Sequence, residues 1–237
     1  MTRVFTGIAA GGTGSRMGAD LPKQFLPLKD RPILIHTTEK FASLDGIDAV
    51  FIGVHKDWTG YTEDLIKRFL PAYQEKVFIL PGGEDRNETV FRIIDAIEEK
   101  FGSIAEDIIL THDAVRPFVT EDIIADNIRL AKEFGAVGTA VKTVDTVYDS
   151  ADGETVTCVP DRSRLYQAQT PQTFRIGLLK ELYARLTPYQ KAHLTDTCSI
   201  CSVRDYPVHM AAGSYLNIKI TTPEDLKIAE TLAKELL

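Results

Sequence analysis

The 237-residue chain has little of what marks exported, membrane-spanning or nucleic-acid-binding proteins. Its three cysteines, Cys158, Cys198 and Cys201, are too few and too unevenly spaced for a disulfide framework. No apolar run approaches the roughly 18 residues that cross a bilayer. The start, Met1-Thr2-Arg3-Val4-Phe5, leads into a strand-like stretch without an apolar h-region or cleavage site, so export is not expected. A basic excess is missing as well: 27 Lys and Arg face 34 Asp and Glu, for a net charge of −7. Neither nucleic acid nor membrane is therefore an expected partner, and a reducing cytoplasm is the expected location. A basic cleft for a small polyanion stays compatible with the acidic total. Internal repeats, low-complexity tracts and charged tails are also lacking, which predicts one domain over 1–237.

The residues that are present alternate in character. Strand-like runs at Val4–Ala10, Ala49–Val54, Val77–Leu80, Ile108–Thr111 and Ala136–Val141 are separated by segments with helical spacing. Trp58, Tyr61, Leu65 and Phe69 share one helix face. Val90, Ile93, Ile94, Ile97 and Phe101 do so again, as do Ile124, Ile128, Ala131 and Phe134. This alternation predicts βαβ units, hence a Rossmann-like three-layer α/β/α fold with a mostly parallel sheet. Between about 144 and 169 the pattern changes. Val147-Tyr148 and Val156-Thr157 flank Asp149-Ser150-Ala151-Asp152-Gly153, which predicts a projecting β-hairpin arm. Such an arm must bury its apolar side, often on a second subunit. At the C-terminus, Thr222, Pro223 and Asp225 predict a capped helix start, followed by the stripe Leu226, Ala229, Leu232, Ala233 and Leu236.

The most informative stretch follows the first strand: Ala9-Ala10-Gly11-Gly12-Thr13-Gly14-Ser15-Arg16-Met17-Gly18. Glycines allow close backbone approach, and successive N–H groups in such a loop can hold phosphate oxygens. The spacing excludes a P-loop, which needs a Gly-Lys pair, and a dinucleotide fingerprint, which needs a third glycine at the right place. On glycine content alone a plain connector and a phosphate site fit equally. Arg16 within the loop and Lys23 just after it favour the phosphate site.

Gly-Gly-Thr-Gly-Ser-Arg-Met-Gly followed by Pro22-Lys23-Gln24 resembles the opening of the cytidylyltransferases that act on small phosphorylated alcohols. Further matches follow in order: Gly82-Gly83-Glu84-Asp85-Arg86-Asn87-Glu88-Thr89, His112-Asp113-Ala114-Val115-Arg116-Pro117, Asp161-Arg162, Thr170-Pro171-Gln172, Thr195-Asp196 and Asn217-Ile218-Lys219-Ile220-Thr221. The resemblance implies a nucleotidyltransferase fold and CMP transfer from CTP to a polyol phosphate. Catalysis would rest on positioning and charge neutralisation, with no general base required.

By resemblance, Arg16, Lys23 and Lys219 would be the catalytic cations, Lys219 acting from a strand before the last helix. CTP would lie against Ala10, Gly11, Gly12, Thr13, Gly14, Gly83, Arg86, Thr89 and Asp113, with Arg86 and Thr89 beside the cytidine. Arg86 and Thr89 also read simply as a helix start with a surface arginine. Asp113 would carry Mg²⁺, though an Asp that caps the following turn is the plain alternative. Arg116, Arg162, Thr170, Thr195 and Lys219 would hold the acceptor, with Arg162 reaching into a neighbouring subunit, which implies a homodimer. The family often has Thr-Asp-Glu-Ala where this chain reads Thr195-Asp196-Thr197-Cys198, so any role of that glutamate does not transfer. Cys198 and Cys201 are expected to be packed helix-face residues, and His112 a packed strand residue.

Val54-His55-Lys56-Asp57-Trp58, Val144-Asp145-Thr146-Val147 and Leu165–Phe174 are similar to the ribitol-phosphate branch. Leu216 stands where the methylerythritol branch usually has an Asp. A glycosyltransferase is disfavoured because no Asp-x-Asp occurs; a non-catalytic nucleotide-binding protein remains as the other class.

Overall fold

The computed structural model describes residues 2–12 and 21–237. Its sheet begins with β1 (Val4–Ala10), followed by a two-stranded ribbon of β2 (Pro27–Leu28) and β3 (Arg31–Pro32). Helix α1 (Ile33–Ala42), strand β4 (Ala49–Val54), helix α2 (Thr59–Phe69) and strand β5 (Val77–Pro81) come next. Helix α3 (Arg86–Phe101), strand β6 (Ile108–Asp113), helix α4 (Glu121–Phe134) and strand β7 (Ala136–Lys142) continue the alternation. Strand β8 (Tyr166–Arg175), three short helices α5 (Ile176–Ala184), α6 (Pro188–Ala192) and α7 (Cys198–Ser202), strand β9 (His209–Ala212) and helix α8 (Pro223–Leu236) complete it. The seven-stranded sheet runs β5-β4-β1-β6-β8-β7-β9. β1 pairs in parallel with β4 and β6, β4 with β5, and β7 with β9; β8 alone is antiparallel to its neighbours.

Alternation along β1 sends Phe5 to one face and Val4, Ile8 and Ala10 to the other. On the first face Phe5 and Phe51 pack with Val90, Ile93, Ile94 and Ile97 of α3 and with Leu179 and Ile200. On the second, Ile8 and Ile52 meet Leu34 and Phe41 of α1, Leu65 of α2 and Ile124 of α4. Each such fully buried side chain contributes about 1.5–3 kcal/mol. The three-layer arrangement follows, as the sequence predicts. The C-terminal helix packs Ala229 and Ala233 on Leu28, Ile33 and Val115, and its start carries the expected reciprocal cap between Thr222 and Asp225.

Three features depart from the sequence reading. β8 and β9 were not expected, and β8 takes residues 166–169 out of the arm and into the sheet. The arm keeps one bridge, Asp149 to Cys158, in place of a hairpin ladder. Its turn is organised by Asp152, whose carboxylate accepts from the Glu154 and Thr155 N–H groups and from the Ser150 and Thr155 hydroxyls. Lys219 lies on an extended segment outside any strand, anchored where Ile220 N–H donates to Val115 O at 3.0 Å. No helix among the described residues is long and apolar enough to cross a membrane.

Candidate active site

The carboxyl ends of β1 and β6, with the loop that follows β5, open into a cleft of about 230 Å³. This is where open α/β sheets place ligands. Ala10, Gly11 and Gly12 form one wall, Lys23 another, Gly83, Arg86 and Thr89 a third, and Asp113 and Lys219 the far side. A Cβ at Gly12 would meet no atom of the described residues within 4 Å. Thr13, Gly14 and Arg16 lie outside the described residues.

Local contacts fix each wall. Gln24, buried beside Lys23, donates to Ala10 O at 2.7 Å and ties the Lys23 turn to the end of β1. The Gly82-Gly83 loop wraps the Thr89 hydroxyl, which accepts from Gly83 N–H at 3.0 Å and donates to Asp85 O at 2.8 Å. A Cβ at Gly53 would lie 2.3 Å from Thr89 Cγ2, so only glycine lets β4 approach α3 this closely. Asp85 caps α3 by accepting from Glu88 N–H at 2.8 Å.

Asp113 is the centre of the far side. Arg86 Nε reaches its Oδ1 at 3.3 Å, while Arg116 Nε and Lys219 Nζ reach its Oδ2 at 3.2 and 3.0 Å. Burial alone would raise its carboxyl; Arg86, Lys219 and Arg116 overcome this and hold it well below the usual carboxylate range. Three cations around one carboxylate leave two formal positive charges at a concave wall, which suits polyanions. The same geometry tests the expected Mg²⁺ ligand. Both Asp113 oxygens are engaged by cations, and no group of three or more His, Cys, Asp or Glu suited to a metal occurs among the described residues. The donor set fits an ionised counter-ion for cations and does not fit a protein-held metal.

A second cavity of about 110 Å³ shares Arg86, Asp113 and Lys219 with the cleft and adds Arg116, Thr170, Gln172, Thr195 and Asp196. Thr170 Oγ1 accepts from Asp113 N–H at 3.1 Å and joins His112 Nδ1 at 3.0 Å. Arg116 Nη1 donates to Asn217 O at 2.7 Å, and Asn217 Nδ2 donates to Thr170 O at 2.9 Å, which locks the Lys219 segment onto β8. His112 is fully buried, and burial pushes its ring down to about 4. It is neutral near pH 7 and acts as packing.

The structure thus brings together Ala10, Gly11, Gly12, Lys23, Gly83, Arg86, Thr89, Asp113, Arg116, Thr170, Thr195 and Lys219. Arg162 is not among them: its exposed side chain donates to Val144 O at 3.0 Å at the base of the arm, and it lines neither cavity. Arg86 turns its guanidinium to Asp113 and Thr197, in the wall common to both cavities. Sequence reasoning missed the positioning residues Gln24, Gln172 and Asn217, although the Pro-Lys-Gln, Thr-Pro-Gln and Asn-Ile-Lys motifs contain them, and Gln169, whose amide donates to Ser214 O at 2.8 Å. Cys198 and Cys201 are free thiols packed on α7, and burial raises Cys201 to about 12.

The profile of the 2-C-methyl-D-erythritol 4-phosphate cytidylyltransferase (IspD) family matches residues 4–235. The chain belongs to this family. It is therefore a CTP-dependent nucleotidyltransferase. A ribitol-5-phosphate cytidylyltransferase of Streptococcus pneumoniae serotype 19F (strain G54) is 48% identical over 233 residues, covering 98% of this chain and 99% of that one. A solved 4-diphosphocytidyl-2C-methyl-D-erythritol synthase from Anaerococcus prevotii superposes with a TM-score of 0.80 at 29% identity, covering 99% of each chain. The 2-C-methyl-D-erythritol 4-phosphate cytidylyltransferase of Francisella tularensis gives 0.79 at 28% identity, over 97% of this chain and 99% of its own.

Proposed function

We propose that this cytidylyltransferase moves CMP from CTP to D-ribitol 5-phosphate, giving CDP-ribitol and pyrophosphate. The site is built for two polyanions meeting at one wall, with the larger cleft taking CTP and the smaller cavity the acceptor phosphate. An acceptor phosphate oxygen attacks the α-phosphorus of CTP; that P–O bond forms as the α–β bridging P–O bond breaks, and pyrophosphate leaves with the electron pair. The nucleophile is already ionised near pH 7, because a phosphate monoester has its second pKa near 6, so the neutral His112 has no proton to take. Lys23, Lys219 and Arg16 neutralise charge that develops at the α-phosphate and the leaving group. Asp113 keeps Arg86, Arg116 and Lys219 aligned, and Arg116, Thr170 and Thr195 hold the acceptor. Mg²⁺ belongs with the CTP phosphates and water, the ligands it prefers.

The observation that carries the choice of acceptor is the 48% identity, over nearly the whole chain, to a protein named for ribitol 5-phosphate. Leu216 agrees with it: half exposed beside Asn217, it offers no hydrogen bond to an acceptor hydroxyl. The family name and the solved neighbours favour methylerythritol phosphate as the second reading. CDP-ribitol would serve as an activated unit for a surface polymer such as teichoic acid. The exposed apolar residues Val144, Tyr148, Val156 and Val159 support a homodimer in which the arm, with Arg162, reaches the partner's acceptor cavity. CTP use and three unpaired thiols suit the cytoplasm. Incubation with CTP, Mg²⁺ and D-ribitol 5-phosphate should yield CDP-ribitol by mass spectrometry; CTP consumed only with the methylerythritol compound would overturn the acceptor.

A further inference from the structure

Arg86 occupies an unusual position for an arginine. Its Nε donates to Asp113 and its Nη1 to Thr197 Oγ1, while Nη2 is buried with no hydrogen-bond partner among the described residues. A buried, unpaired donor on a charged group is costly. The surroundings therefore hold this guanidinium where its own hydrogen bonds are incompletely met. The restraint can be traced. Thr197 is fully buried in the turn before α7, and its backbone N–H donates to Gln172 Oε1 at 3.1 Å, as does Cys198 N–H at 3.3 Å. Gln172 Nε2 donates to Asp196 Oδ2, so one side-chain amide clamps three consecutive residues. Gln172 itself is fixed in β8, paired with Thr111 of β6 and Gly138 of β7. A rigid sheet position thus determines where the Thr197 hydroxyl stands, and that hydroxyl fixes one end of the Arg86 guanidinium while Asp113 holds the other.

We propose that Thr197 and Gln172 are positioning residues for Arg86, holding its charge in the wall between the two cavities so that it acts on the two polyanions together. The inference rests on the reading of those cavities as CTP and acceptor sites, and it holds for either acceptor. A cation placed in advance, with its reorganisation already made in folding, stabilises developing charge more than a mobile one. Its effect is expressed when both substrates are bound, so it appears in kcat more than in CTP affinity.

The test compares Thr197→Val, which keeps the shape and removes the hydroxyl, with Thr197→Ser, which keeps the hydroxyl. Thr197→Val should lower kcat about tenfold, the lower end of what outer-sphere partners of a reactive group contribute. Its CTP dissociation constant should stay within about twofold of wild type by calorimetry, and Thr197→Ser should restore kcat to within about twofold. Gln172→Glu sets a carboxylate against Asp196 and should lose a similar factor, and the double variant Gln172→Glu with Thr197→Val should lose no more than the worse single change, because both act through one arginine. A crystal structure of Thr197→Val should show the Nη1 end of Arg86 displaced from its wild-type position, a readout that needs no turnover. Full kcat in Thr197→Val, or Arg86 unmoved in its structure, would overturn the proposal. Wild-type turnover of ribitol and methylerythritol phosphates in the same experiment reports on the acceptor separately, since the variant-to-wild-type ratio is taken on whichever one reacts.

Discussion

Replacing Asp113 by Asn removes one charge and leaves the shape almost unchanged, and its consequences can be worked from distances. Arg86, Arg116 and Lys219 approach the carboxylate to 3.3, 3.2 and 3.0 Å. At an effective dielectric near 20, a pair at about 4 Å gains roughly 4 kcal/mol of Coulomb attraction, most of it offset by desolvation. Lys219 is 41% exposed and its share is discounted for solvent screening. The side chains of Arg86 and Arg116 are only 22% and 10% exposed, so both would be stranded. Breaking a buried pair from one side costs about 3–5 kcal/mol. We expect Asp113→Asn to lose about 4 kcal/mol in urea unfolding near pH 7 at low salt. Three cations without their counter-ion should then bind anions more avidly, so inorganic phosphate or CTP should restore more stability to the variant than it adds to wild type. A loss below about 1 kcal/mol, with normal pyrophosphate release, would refute the view of Asp113 as the hub of the site.

Two further outcomes follow from the same structure. His112 has its ring pushed down to about 4 by burial, from an ordinary 6.5. The unfolded chain therefore takes up a proton that the folded protein refuses between those values. The stability this contributes is complete above about pH 6.5 and declines as pH falls towards 4, by at most roughly 3 kcal/mol. An NMR titration should find the ring neutral at pH near 5.5, and a midpoint near 6.5 would contradict its buried, neutral state. Sedimentation should give twice the 26.3 kDa chain mass; a fully active monomer would contradict completion of the acceptor cavity by a partner's arm.

The parallel half of the sheet was legible because its strands are apolar runs separated by helices with a clean 3.6-residue stripe. β8 was not, for two reasons. Pro171 lies inside a strand that sits between β6 and β7, where the missing N–H argues against a strand. The sheet accommodates it with a register shift, pairing Gly138 with Gln172 and then Ala140 with Ala168. The buried side chains of β8 are also largely polar: Gln169, Thr170, Gln172 and Thr173 are all inside. Hydrophobic periodicity cannot find a strand whose interior face serves a site. The charged site residues were legible from their motifs, since Lys23, Asp113, Arg116 and Lys219 do converge. What each does was less so. The resemblance implies a metal at Asp113, whereas Arg116, three residues on, surrounds it together with Arg86 and Lys219, which come from segments distant in the chain. The arm was overread: Val147-Tyr148 and Val156-Thr157 alternate like strands, but Asp152 gathers the turn around its own carboxylate and only one bridge forms.

The central claim is tested most directly by comparing kcat/KM for D-ribitol 5-phosphate and 2-C-methyl-D-erythritol 4-phosphate, measured as pyrophosphate release with saturating CTP and Mg²⁺. The account predicts efficient turnover of ribitol phosphate and little of the methylerythritol compound. Preference for the methylerythritol compound would contradict it and assign the same chemistry to the other acceptor.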